Sequence, residues 1–483
     1  MQESLLKTIL FTITTIILTI TPTTIVRTIL LFIDVSIYWI RSIYRRISEA
    51  NTTTHRLKRR LKTATSATEY SLVAFELDNL IGNSVWKDNI VSRRYDYKLI
   101  RDRVYAMREV RICGDVQRVL SLLRASLLRN FGGISELALY DRTFIGTKVL
   151  IEEYNYEMKC CVKSIDESFK ISIQDKLDFF HDAKTTLGCT ALCLYGGSLF
   201  GMTHVGVVEG LIECELLPNV IVGSGVGSGV AAIVCINKWV DFKGLNYDKT
   251  KLLRKGLTIE TYCYLLNVIE NVGDLTFKEA FEISRRVLNI LVYPNNKRVP
   301  RLLNYLTTPY VSIKNAIICS MGTGVLKDEC FIEGFEKCEF YQPFEVIEDI
   351  KFSRITELFN VNHFIISHSR PYLKPLFLPR FKILSRLISL EIKYWLKIIN
   401  YLQIFSINKW ILIDDDKFNN LMIVPQGNRW IIYEIIELLR SEGNSKYWIE
   451  CGRRSIYEKR TLLETRMRIE FILNDYYEKY RNK

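Results

Sequence analysis

The sequence predicts an α/β fold built on a parallel sheet. A buried apolar run at residues 191–194 meets a glycine turn and is followed by a helix over about 202–214. A second apolar run at 220–222 meets another glycine turn and another helix. Strands alternating with helices at this spacing form a parallel sheet. With 483 residues, 48% hydrophobic and 25% charged, the chain can bury a large core and carry helical additions beside it.

The N-terminus reads differently. Residues 5–20 are almost wholly apolar or threonine, Thr21-Pro22-Thr23-Thr24 supplies a turn, and 25–40 is mostly apolar again apart from Arg27 and Asp34. Two arms of about 16 residues fall short of the roughly 20 that a perpendicular crossing needs, so a helical hairpin in one leaflet and two tilted spans both remain open. Residues 1–40 are therefore expected to be a membrane hairpin. A cleaved signal peptide fits less well, because Glu3 and Lys7 flank its start and no small-residue site closes the first arm.

Residues 41–62 form a basic linker with Arg41, Arg45, Arg46, Arg56, Lys58, Arg59, Arg60 and Lys62. Such a cluster favours the cytosolic face and anionic headgroups. It also locates part of the net charge of +13. No zinc-finger spacing or aromatic RNA-binding signature accompanies that charge, so a membrane surface is the expected partner and nucleic acid is not. The twelve cysteines are scattered without C-x-x-C pairs, the pattern of reduced and mostly buried thiols, and no metal site or cofactor is expected.

Residues 63–175 fit a helical domain. Apolar positions recur at three- and four-residue spacing through "SLVAFELDNLIGNSVWKDN" and "YDYKLIRDRVYAMREVRICGDVQRVLSLLRASLLRN", and Asn130-Phe131-Gly132-Gly133 closes the second run as a glycine cap would.

The chemistry lies in the two glycine turns. Each sets backbone N–H groups at a helix N-terminus, where the helix dipole favours negative charge. A dinucleotide site is one reading, since Gly223, Gly225, Gly227 and Gly229 follow a strand and Asp241 lies downstream; but the third glycine of that fingerprint would fall at Ser228. The other reading is an acyl hydrolase. Gly196-Gly197-Ser198-Leu199-Phe200-Gly201 resembles the oxyanion-hole loop of patatin-like lipases, and Val222-Gly223-Ser224-Gly225-Val226-Gly227-Ser228 resembles their nucleophile elbow.

The intervening "HVGVVEGLIECELLPNVI" matches as well. Leu77-Asp78, Gly82-Asn83, Trp86-Lys87, Tyr95-Asp96, Leu128-Arg129-Asn130, Gly132-Gly133-Ile134 and Gly146-Thr147-Lys148 resemble the domain that precedes the core in the fungal and plant triacylglycerol lipases of this family. The resemblance runs from residue 63 to the end. It implies a patatin-like parallel-sheet core with helices on both faces over 185–375 and a C-terminal helical extension over 376–483.

It also implies a Ser-Asp dyad, and both positions are changed. Acyl transfer needs a serine at the centre of G-x-S-x-G, and Gly223-Ser224-Gly225-Val226-Gly227 has Gly225 there. "ITELFNVNHFIISHSRPYLKPL" resembles the family's stretch after its catalytic Asp-Gly, and 16 residues before Phe359 stands Pro343-Phe344. Ser224 and Ser228 are the fallback nucleophiles; Glu345, Glu348 and Asp349 are nearby carboxylates. None of the five histidines has an aspartate five positions later, the arrangement invoked for acyl transfer in some relatives.

In the C-terminal extension, "LPRFKILSRLISLEIKYWLKIINYL" alternates an apolar stripe with cations, as a packed helix or a membrane-surface helix would.

The resulting expectation is a membrane-attached family member at the endoplasmic reticulum or lipid-droplet surface, the bulk of the chain cytosolic. Having lost its dyad, it would bind neutral lipid or phospholipid acyl chains, or pair with an active homologous lipase. An active lipase with displaced residues and a nucleotide-binding or structural membrane protein are the alternatives.

Overall fold

The computed structural model describes residues 52–236, 257–341, 352–369, 421–425 and 445–482, except 297 and 328, with a few positions between 12 and 41 and residue 391. Most of the expected hairpin at 1–40, the cationic stretch at 378–402, Asp241, Glu345, Glu348, Asp349 and Pro343-Phe344 lie outside the described residues. The chain divides into two units, 1–63 and 64–483.

In the first unit, α1 (Thr53–Thr63) exposes Arg56, Lys58, Arg59, Arg60 and Lys62. No helix among the described residues is long and apolar enough to cross a membrane.

The second unit opens with α2 (Ala67–Ile81), α3 (Asn83–Asp88), α4 (Tyr97–Cys113), α5 (Val116–Ser126), α6 (Val149–Glu167) and α7 (Ile173–Leu187). Local signals set their ends. Ser66 accepts the Glu69 N–H to start α2, and Gly82 closes it at φ 78°.

The long apolar periodicity over 95–130 is not one helix. Gly114 at φ 68° closes α4, and the Asp115 carboxylate accepts the Arg118 N–H to start α5. Nor do Gly132 and Gly133 cap a helix, since α5 has already ended at Ser126. They form a turn at φ 57° and 85° that brings the Asp96 N–H to the Gly132 carbonyl at 2.8 Å. Periodicity continues through such a break because both helices bury faces in the same core.

The core that follows contains β1 (Cys189–Tyr195), α8 (Met202–Glu213), β2 (Val220–Ser224), α9 (Val226–Cys235), α10 (Ile259–Val272), α11 (Phe277–Ser284), β3 (Val287–Leu291), β4 (Leu302–Asn304), α12 (Ile313–Met321), α13 (Ser353–Phe359), β5 (Val361–His368) and β6 (Leu421–Ile423). Helices α14 (Ser445–Tyr457) and α15 (Arg460–Arg481) complete the described chain. The six strands lie in the order β4-β3-β2-β1-β5-β6, parallel except for β4 against β3.

The register assigns the two faces of the sheet. Cys193 pairs with Val222 and Ile366, and these residues form one core with Ile355 of α13 and Phe281 of α11. Leu194 pairs with Gly223 and Ser367, on the face beneath α8 and α9, where Ser367 Oγ lies 2.9 Å from His204 Nδ1. Helices thus cover both faces, as the α/β reading requires.

Close backbone packing holds α8 against α14. A Cβ at Gly206 would run into the Ile449 carbonyl, and one at Gly452 into the Thr203 carbonyl. The helices preceding the sheet share a second core with the last helix: Ile100, Met107, Leu123, Ile151, Val162, Phe179 and Phe180 pack with Leu473 and Tyr480 of α15. Each such buried side chain contributes about 1.5–3 kcal/mol.

Candidate functional site

The site is built at the carboxyl ends of β1 and β2. After Tyr195, Gly196 and Gly197 take φ 68° and 124°, and residues Ser198–Phe200 form a single 3-10 turn leading into α8. A Cβ at Gly197 would lie 2.8 Å from Val226 Cβ, and one at Gly201 2.5 Å from Val226 Cγ1. Glycine is therefore required for the loop to lie on the first residue of α9. The Gly227 N–H donates to the Gly196 carbonyl at 3.0 Å and fixes loop and helix together.

Gly225 occupies the strand-to-helix apex at φ 59°, ψ −127°. Only glycine adopts such a conformation without strain. Its N–H donates to Ser320 Oγ at 2.9 Å, and the Ser320 hydroxyl in turn donates to the Leu291 carbonyl at 2.6 Å. Gly223 and Gly227 flank the apex; a Cβ on the first would run into Ser228 Cα and one on the second into the Leu194 carbonyl, so neither has room for a side chain.

The fallback serines are buried. Ser224 is 1% exposed, pairs with Leu291 of β3, and its Oγ has no hydrogen-bond partner among the described residues. The alternation of the strand turns it away from Gly223 and from the α9 side of the sheet. Ser228 is fully buried, and its hydroxyl donates to the Gly225 carbonyl at 2.6 Å, a first-turn capping role. Neither hydroxyl is exposed at the surface of the described residues.

Three histidines, His204, His363 and His368, are buried at the sheet, and the first two have lowered pKa values. His204, on the first turn of α8, is fully buried, and loss of hydration pushes its pKa down to about 3, against a hydrogen bond with the Tyr195 backbone and with a smaller contribution from His368. His363 is pushed well below the ordinary histidine range by burial, and then by Arg466 and Arg129. Among the described residues no cluster of histidine, cysteine or carboxylate side chains is placed to hold a metal ion.

Sequence reading missed Ser320, which holds the apex from 95 residues away, and the His204–Ser367 pair, 163 residues apart. No local pattern announces such partners. What the described arrangement offers is a glycine turn at the start of α9 with no side chain at its apex, its Gly225 and Gly227 N–H groups bound to Ser320 Oγ and the Gly196 carbonyl.

Known proteins match both halves of this architecture. Residues 47–185 match a family model described as "Domain of unknown function (DUF3336)". The chain is 34% identical over 358 residues to triacylglycerol lipase 3 of Saccharomyces cerevisiae, covering 62% of this chain and 54% of that protein. It is 30% identical over 354 residues to triacylglycerol lipase ptl3 of Schizosaccharomyces pombe, covering 66% and 73% of the two chains. A patatin-like phospholipase domain-containing protein of Aspergillus terreus is 26% identical over 484 residues, covering 86% of this chain and 68% of its own. With the sheet, the glycine loop and the elbow in place, the chain belongs to the patatin-like phospholipase family, in the branch that contains the fungal triacylglycerol lipases.

Proposed function

We propose that this chain is a catalytically degenerate member of its family, attached to a membrane or lipid-droplet surface, that binds lipid acyl chains or regulates an active homologue instead of hydrolysing esters. One observation carries the reading: the elbow apex is Gly225, in a backbone conformation that suits glycine, while Ser224 and Ser228 are buried on either side of it. A hydroxyl needs an adjacent base and an approach path to attack an ester. Pro343, where the family resemblance expects the aspartate, supplies neither a base nor a charge.

Membrane attachment is supported by the apolar arms before residue 40 and the exposed cations of α1. The retained Gly196-Gly197 loop beside the elbow suits an acyl carbonyl or carboxylate oxygen, because backbone N–H donors recognise oxygen whether or not a nucleophile stands beside them.

Incubation of the purified full chain with a fluorophosphonate probe and with emulsified triacylglycerol tests this. No labelling and no fatty-acid release are expected, together with thermal stabilisation by acyl lipid. Labelling that disappears in Ser224→Ala or Ser228→Ala would replace this reading with that of an active lipase.

A further inference from the structure

Helix α2 carries apolar side chains on both of its faces. The inner face buries Tyr70, Val73, Ala74 and Leu77. It is held firmly there: the Ala67 N–H donates to the Glu213 carboxylate at 2.7 Å, the Tyr70 ring lies 5.8 Å from that of Tyr457, and Arg460 donates to Ser71 Oγ at 3.3 Å. The outer face carries Leu72, Phe75 and Leu80, which are 68%, 58% and 55% exposed and share an outward arc of about 140°. Ile81 at the helix end and Val85 in α3 extend it, so five exposed large apolar side chains fall within residues 72–85. A helix with apolar side chains on both faces is ordinarily covered on both.

The charge of the adjoining chain says what covers the outer one. Helix α1 exposes Arg56, Lys58, Arg59, Arg60 and Lys62. Only Ala64, Thr65 and Ser66 stand between Thr63 and Ala67, a span of at most about 14 Å. The chain thereby tethers five cations to the start of α2. Exposed apolar area joined to a cationic cluster is the chemistry that an anionic phospholipid surface recognises. A second copy fits less well, because a two-fold contact through this face would tether both sets of cations to one interface.

We propose that the outer face of α2, with Leu72, Phe75 and Leu80 at its centre, rests on an anionic phospholipid surface. This contact presupposes the surface attachment proposed above and adds the face that meets the lipid. Glu76, exposed between Leu72 and Leu80, sets the depth. A carboxylate is costly in hydrocarbon, so the helix lies at headgroup level while the apolar side chains reach the acyl boundary. Glu213 and Tyr457 belong to α8 and α14, so the face is joined to the helix that follows the Gly196-Gly197 loop.

The experiment incubates the purified full chain with phosphatidylcholine vesicles, with and without phosphatidylserine, separates bound protein by flotation and maps side-chain oxidation by hydroxyl radicals with mass spectrometry. On the phosphatidylserine vesicles, oxidation of Leu72, Phe75 and Leu80 is expected to fall severalfold against the free chain, while Tyr310, 78% exposed beyond β4, stays unchanged. Leu72→Glu with Phe75→Glu should return Leu80 to the oxidation of the free chain without lowering the unfolding temperature, since both replaced side chains are mostly exposed. Arg59→Glu with Arg60→Glu should weaken the protection on the same vesicles. A chain that floats while these three side chains stay as reactive as in the free state would overturn the contact and leave attachment standing. Equal protection on phosphatidylcholine alone would overturn it too, as would protection that grows with protein concentration in the absence of vesicles, the mark of a second copy. A chain that does not float would remove the attachment itself, and the contact with it.

Discussion

The Arg129 guanidinium lies 2.9 Å from the Glu470 carboxylate, and this buried pair ties together three regions distant in sequence. Arg129 follows α5 and also donates to the Gly188 carbonyl before β1, to Asn362 Oδ1 on β5 and to the Arg466 carbonyl on α15. Glu470 accepts the Thr190 N–H and hydroxyl at the start of β1. The helical region that matches the domain of unknown function is thus fastened to the sheet and to the last helix at one arginine.

Removing one partner leaves the other charged and buried. Arg129→Ala or Glu470→Ala is expected to cost about 3–5 kcal/mol of unfolding free energy, measured by urea denaturation. Hydrogen exchange should quicken at the start of β1 and in α15 as well as after α5. A change confined to the helical region would contradict the brace.

The two neutral histidines make the fold acid-sensitive. Between an ordinary histidine pKa near 6.5 in the unfolded chain and about 3 for folded His204, the unfolded state binds a proton that the folded state does not. Stability therefore falls as pH falls through that window, by about 1.4 kcal/mol per pH unit. Urea midpoints compared at pH 7 and 5 should show a loss smaller by about 2 kcal/mol in His204→Gln than in the parent. His363→Gln should act in the same direction, since burial and two arginines also lower that group.

Two glycines should fail for different reasons when changed to alanine. At Gly196 nothing lies within 4 Å of an added Cβ, and only the φ of 68° opposes it, a cost of about 1–2 kcal/mol. At Gly206 the Cβ meets the Ile449 backbone, so α8 and α14 must separate, at about 3 kcal/mol or more. Thermal unfolding of the two variants checks the order.

Restoring serine at the elbow should destabilise before it activates. Gly225→Ser forces a side chain onto φ 59°, ψ −127°, costing about 1–3 kcal/mol. Fluorophosphonate labelling is expected only when Pro343→Asp accompanies it, because a serine hydroxyl without a base is a weak nucleophile. Labelling of Gly225→Ser alone would mean that another group acts as base.

Much of the site was legible in the sequence because its geometry is local. Gly197, Gly201, Gly223 and Gly227 are glycines for contacts made within one strand–turn–helix unit or its immediate neighbour, and each leaves a mark at a fixed spacing. The break at Gly114-Asp115 was also written locally, as a left-handed cap followed by an N-cap, but the apolar period continuing across it concealed the boundary.

By itself, the sequence determined the parallel α/β core, the glycine loop and the glycine at the elbow apex, since backbone dihedrals and strand-helix patterning depend on neighbouring residues. Only the tertiary structure decided that Ser320 holds the apex, that Arg129 meets Glu470 across 341 positions, and that Gly206 of α8 receives the backbone of α14. Those pairings follow from which buried faces meet when the chain closes. A helix or strand pattern records that a face is buried, not what it is buried against.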